Sequence, residues 1–278
     1  MKQRITVLAI AVIAVIGLAR GHAWAIGSET PGGGLTGTIH DFVTGHFASS
    51  NTTAVGQCTF CHTSHGALST NLLWNHTLSG QTYQWDVPAT TAGTLFPVFA
   101  DNQWNGPTAK CLSCHDGTVA VGAVNWFDSG FGRPGSHGPQ ILNPRTAGLQ
   151  GLSTGHGAGN IAILSGVHPV AMPYPYGGVG STYNGTTTGA NFIANQWQTP
   201  PLGNIRLYMQ NGVNSVILGW NGAAASPAAA SGLQGNAGIE CSSCHDPHNK
   251  ITVDGYFLVG MGTGSGSTYL CNMCHMKY

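Results

Sequence analysis

Apolar positions are unevenly spread along this chain. The longest apolar run, Ile5 to Ala19, follows Lys2 and Arg4 and precedes Ala23-Trp24-Ala25. A positive start, a short apolar stretch and a small-x-small site predict a secretory signal over residues 1–25. The run is short for a membrane span of about 20 residues, so an uncleaved anchor is the weaker reading. Beyond it, periodic apolar segments are few. Asn204-Ile-Arg-Leu-Tyr-Met and Ser215-Val-Ile-Leu-Gly-Trp220 are β-branched and aromatic runs separated by Gln210-Asn-Gly-Val-Asn. That pattern predicts a short hairpin. Thr118 to Trp126, rich in Ala and Val, predicts a helix. Gly177–Thr188 and Ala223–Gly238 have the composition of loose loops.

Composition sharpens this picture. Asp, Glu, Lys and Arg make up 6% of the chain, against a usual value of about 25%. Glycine occurs 42 times and proline 14 times. Such a chain makes many turns and few strong helices. The expected fold class is mostly irregular coil with short helices and a few short strands. One domain is expected over 26–278, with 177–238 as a Gly/Thr/Asn/Ala-rich insertion. Ordering each residue costs about 1.5 kcal/mol, and few apolar segments are present to offset that. Something other than a Leu/Ile core must hold the chain together.

Four copies of one pentapeptide supply it: Cys58-Thr-Phe-Cys61-His62, Cys111-Leu-Ser-Cys114-His115, Cys241-Ser-Ser-Cys244-His245 and Cys271-Asn-Met-Cys274-His275. All eight cysteines lie in these motifs. C-x-x-C-H is the attachment signature of c-type haem, with two thioether bonds and a proximal histidine. Four covalent haems are therefore expected. Two Cys₄ zinc sites are the first alternative, and disulfides in an exported chain the second. Neither requires histidine after every second cysteine. With 13 histidines in the chain, chance places four there on the order of a few times in a million. Haem would supply wide apolar faces to bury and covalent ties that restrict the unfolded chain.

What lies opposite each proximal histidine decides the chemistry. An open face permits substrate chemistry; a closed one confines the haem to electron transfer. Outside the motifs, residues 26–278 hold His40, His46, His65, His76, His137, His156, His168 and His248. Bis-histidine ligation at all four sites is thus possible. His65 and His248 each follow a proximal histidine by three residues, in Cys61-His62-Thr-Ser-His65 and Cys244-His245-Asp-Pro-His248. Residues three apart share one face of a helical turn. They are unable to grip opposite faces of one iron, so each must point at a neighbouring haem. His168 and His76 sit in apolar contexts and His40 lies near the mature N-terminus. His46, His137 and His156 lie among Gly, Ser and Thr and read as surface groups. Methionine ligation is a minority alternative, and Met273, inside the fourth motif, is badly placed for its own iron.

Side-chain charge over 26–278 is near −3. Eight haem propionates would make the surface more acidic, which argues against nucleic acid. Basic redox proteins or metal cations remain as partners. Export makes an extracellular or cell-surface location the expectation, with the periplasm as alternative.

His40-Asp-Phe, Cys-His-Thr-x-His-Gly at 61–66, Leu-Trp-Asn-His at 73–76, Cys111-Leu-Ser-Cys-His-Asp-Gly-Thr-Val-Ala, His168-Pro-Val and Cys241-Ser-Ser-Cys-His-Asp-Pro-His-Asn resemble the extracellular tetrahaem cytochromes of the OmcE type. The likeness spans the motif regions from about 40 to 275. Residues 177–238 are less similar, and Ser64 stands where proline is expected. The resemblance implies stacked bis-histidine haems in a head-to-tail filament, with a distal histidine donated between subunits. Five histidines match (His40, His65, His76, His168 and His248), one more than four haems need. His40 is the candidate for the inter-subunit ligand. The expected function is electron conduction without catalysis. A monomeric periplasmic shuttle and a multihaem reductase with one open haem are the alternatives.

Overall fold

The computed structural model describes residues 30–38, 40–43, 57–63, 67, 73–84, 98–100, 106–116, 168–175, 180–187, 196–198, 201–211, 214–217, 235–253, 257–261 and 269–276. Residues 1–25, the helix expected over Thr118–Trp126, and His46, His65, His137 and His156 lie outside them.

Regular elements are short. In chain order they are β1 (Thr82–Gln84), β2 (Val98–Ala100), α1 (Pro107–His115), β3 (Met172–Pro173), β4 (Thr182–Tyr183), β5 (Thr186–Thr187), β6 (Tyr208–Asn211), β7 (Asn214–Ile217), β8 (Ala237–Ile239), α2 (Cys241–Cys244) and α3 (Leu270–Cys274). Strands β3-β8-β6-β7 make an antiparallel sheet, while β1-β2 and β4-β5 pair separately. Among the described residues no helix is long and apolar enough to cross a membrane.

The expected hairpin forms as β6 and β7, with Asn211 opposite Asn214. It begins four residues later than the apolar run suggested, because Ile205 and Leu207 are drawn into separate buried clusters instead. Gly177–Thr188 and Ala223–Gly238 do not read wholly as loops. Asn184 and Gly185 both have left-handed backbone, φ 46° and 71°. An Asn-Gly pair of that kind is the preferred two-residue hairpin turn, and it joins β4 to β5. The turn delivers Tyr183 into the interior, fully buried. The end of the second stretch is β8, which pairs with both β3 and β6. The 177–238 insertion is thus knitted into the sheet that leads to the third motif.

Two small apolar clusters support these elements. Met172, Tyr174, Leu207, Ala237 and Ile239 make one; Ile205, Val259 and Met273 make the other. Met273 is the inner residue of the fourth motif. It is buried against Gly203 and Gly260, where any Cβ would press on its thioether end. Met273 is therefore a core residue, as its position within Cys271-Asn-Met-Cys suggests.

Candidate haem-type centres

Each motif folds as a single helical turn. The amide of His62 donates to the Cys58 carbonyl (2.9 Å), that of His245 to Cys241 (3.0 Å) and that of His275 to Cys271 (2.8 Å). In the second motif the turn belongs to the longer helix α1, which Pro107 starts and Asp116 caps. A turn of this kind sets cysteines three apart on one face. Both sulfurs of a motif can then reach one edge of a flat ligand.

The histidines leave the turn in extended conformation, at φ −109° for His245 and −106° for His275. There each meets a crossing segment. His62 bridges Trp74, His245 bridges Leu258 and His275 bridges Trp197. The construction is repeated: a C-x-x-C turn, then a histidine pinned by backbone hydrogen bonds on both sides. Flanking pairs are Thr63 to Leu73 and Asn75 to Cys61, Asp246 to Phe257 and Val259 to Cys244, and Gln198 to Cys274 and Met276 to Gln196, at 2.8–2.9 Å.

Three motif histidines face a histidine from elsewhere in the chain. His62 lies 6.2 Å from His248, His115 lies 6.1 Å from His40, and His275 lies 6.4 Å from His168, between ring centroids. A metal–imidazole bond is about 2.0–2.1 Å and the ring centroid lies about 1.1 Å beyond the nitrogen. Two imidazoles on opposite sides of one metal should therefore sit about 6.3 Å apart, centroid to centroid. The three pairs match that span. Their interplanar angles of 27°, 67° and 54° do not conflict with it, because each ring can turn about its own bond to the metal.

Ring polarity agrees with the distances. Metal-binding histidines usually donate their other N–H to a carbonyl or carboxylate, which fixes the tautomer. Nδ1 of His40 donates to the Pro247 carbonyl (3.3 Å), that of His168 to Pro169 (2.9 Å) and that of His76 to Thr77 (2.9 Å). In that tautomer Nε2 carries the lone pair that a metal would use. Nδ1 of His248 stands 3.9 Å from the Asp246 carboxylate. His115 is pushed down to about 4, chiefly by burial and then by His40 and His245 nearby. It is neutral at pH 7, the form a metal ligand needs. His76 is buried.

His40, the candidate for an inter-subunit ligand, has its ring 6.1 Å from that of His115 and stacked on Phe257 at 5.0 Å within its own chain. The N-terminal segment holds it there. Asn249, at φ 52°, donates from its amide to the carbonyls of Thr30 and Gly34, and Gly34 donates back to the Asn249 carbonyl. His248, three residues after His245, has its ring 6.2 Å from that of His62 in the first motif.

Burial pushes the Cys61, Cys114 and Cys274 thiols up to about 12. Among the described residues, no three or more His, Cys, Asp or Glu side chains gather around a point where a metal could sit. The histidines meet in twos. Two axial ligands and two adjacent sulfurs are what a covalently tethered metalloporphyrin requires, because its equatorial ligands are its own. The residues present fit c-type haem.

Carboxylates that sequence reasoning passed over complete the frame. Glu240, fully buried, accepts from the Thr108 amide (3.0 Å) and the Tyr183 hydroxyl (2.6 Å). Thr108 in turn accepts the Cys241 amide on its hydroxyl (3.1 Å). The starts of α1 and α2 thereby cap each other. This capping brings the starts of the second and third motifs together. Asp116, buried, accepts from Tyr83, and Asp246, buried, accepts from the amides of Lys250 and Ile251. The available signal was position: in a charge-poor chain, Glu240, Asp116 and Asp246 each adjoin a motif.

No protein-family model matches this chain, and no curated protein matches it.

Proposed function

We propose that the protein is a tetrahaem c-type cytochrome that transfers electrons and performs no substrate chemistry. The observation carrying this reading is the set of three histidine pairs at 6.1–6.4 Å, each joining one C-x-x-C-H histidine to a partner distant in sequence. Bound haem supplies a one-electron ferric/ferrous couple.

The chain's residues tether, orient and close. Cys58 and Cys61 would hold one group between His62 and His248. Cys111 and Cys114 would hold a second between His115 and His40. Cys271 and Cys274 would hold a third between His275 and His168. Cys241 and Cys244 would hold the fourth on His245, for which His76 and His65 are the candidates, the other being left for a neighbouring subunit. A histidine on each face of a group would leave no site there for substrate. The reciprocal capping of α1 and α2 supports a short path between the second and third groups.

Resemblance to the OmcE-type cytochromes extends the proposal to a secreted, head-to-tail filament. A head-to-tail contact does not close on itself and so propagates. Negative-stain microscopy of secreted protein distinguishes filaments from a monomeric shuttle. For the electron-transfer reading the test is spectroscopic. The oxidised protein should be wholly low-spin, and the reduced protein should bind no carbon monoxide at native pH. A high-spin signal with rapid carbon monoxide uptake would instead indicate an open, reactive haem.

A further inference from the structure

A cavity of about 680 Å³ lies between the N-terminal segment and the loop after the third motif. That volume is within the range of about 300–1,000 Å³ usual for ligand sites. Gly33–Thr36, Gln57, Arg206, Asp246, His248 and Lys250 line it. Gln57 immediately precedes Cys58, and His248 faces His62. The cavity therefore adjoins the first motif from both sides of its histidine pair.

Its charge is unusual for this chain. Residues 26–278 contain three lysines and three arginines, and two of those six cations, Arg206 and Lys250, line this one cavity. Arg206 is buried and sits 3.5 Å from Asp246, so their charges offset. Lys250 is exposed, and its Nζ lies over the left-handed backbone of Gly34. No ion pair to Lys250 occurs among the described residues. The cavity thus carries one net positive charge beside the His62–His248 pair.

We infer that Lys250, supported by Arg206, is a fixed cation beside the haem of the first motif and raises the reduction potential of that haem above its value without the cation. The inference rests on the haem reading proposed above and deepens it. A haem held between His62 and His248 would lie beside this cavity, because His248 and Lys250 share its wall. A fixed positive charge disfavours the ferric state relative to the ferrous state, because reduction removes one unit of positive charge. Arg206 additionally keeps the buried Asp246 carboxylate paired, which limits the opposing influence of that anion.

The test is a spectroelectrochemical titration of the full-length, haem-loaded secreted protein at fixed pH and ionic strength. Wild type is compared with Lys250→Arg, Lys250→Gln, Lys250→Glu and His248→Met. Lys250 is exposed, so its variants should fold. One of the four midpoint components should move down in Lys250→Gln, further down in Lys250→Glu, and stay in place in Lys250→Arg. It should be the same component that His248→Met moves up, since a methionine axial ligand raises the potential. Four unmoved components in Lys250→Glu overturn the inference, as does movement of a component that His248→Met leaves alone. Failure of the underlying haem reading looks different: wild type would show no haem absorbance to titrate.

Discussion

His40, His168 and His248 share two measurable features, a ring about 6 Å from a motif histidine and an Nδ1 turned toward a backbone carbonyl or carboxylate. The ring angles carry a prediction of their own. The His62–His248 rings are close to parallel at 27° and the His40–His115 rings are steeply crossed at 67°. Near-parallel axial planes split the iron d orbitals that point toward them, whereas crossed planes leave those orbitals almost degenerate. Ferric electron paramagnetic resonance should therefore show at least one rhombic low-spin signal together with one strongly anisotropic, large-g signal. Four identical rhombic signals would contradict these orientations. At Tyr183 the prediction is energetic. Replacing it with Phe removes the hydroxyl that Glu240 accepts and should destabilise the haem-loaded protein by about 1.5–3 kcal/mol. Thermal melts followed in the Soret band would measure this. The cysteines and proximal histidines were legible because C-x-x-C-H is a contiguous pattern. Tyr183, Glu240 and the partner of each motif histidine were not, because they meet only through tertiary contacts.

The elements are too short to stand alone, so their junctions decide their stability. Helices α1 and α2 exchange capping bonds through Thr108 and Glu240. Thr108→Val should cost about 1 kcal/mol by leaving the Cys241 amide without its hydroxyl acceptor. It should also couple to Glu240→Gln in a double-mutant cycle; additive effects would contradict reciprocal capping. The sheet makes a second demand. A Cβ on Gly238 would overlap the Tyr183 ring, so Gly238→Ala should destabilise by about 1–3 kcal/mol. A wild-type melting temperature in that variant would contradict the packing. Legibility at this scale was partial. The β6–β7 hairpin followed from its apolar runs, although its start shifted once Ile205 and Leu207 were claimed by the clusters. The β4–β5 hairpin was present in the sequence as Asn184-Gly185, but surrounding Gly and Thr residues masked that turn pair within a loop-like composition.

Among the described residues, two apolar clusters hold five and three buried side chains. Motif segments, crossing strands and histidine pairs tie the described segments together, and flat apolar groups between those pairs would add burial. The haem-free chain should consequently fail to fold. Replacing all eight motif cysteines with Ala should give a chain whose circular dichroism shows no cooperative melt, and a native-like compact product would contradict the role given to haem. The loop 245–250 joins several sites at once: His248 faces the first motif, and Pro247 orients His40 toward the second. Sequence spacing led to the expectation that His248 looks away from His245, whereas nothing in it pointed to the N-terminal segment bringing His40 to the same loop. The most direct test of the central claim is the intact mass of the secreted protein. The account predicts residues 26–278 plus four covalently attached iron porphyrins. A mass equal to the bare polypeptide, or to polypeptide with disulfides alone, would contradict it.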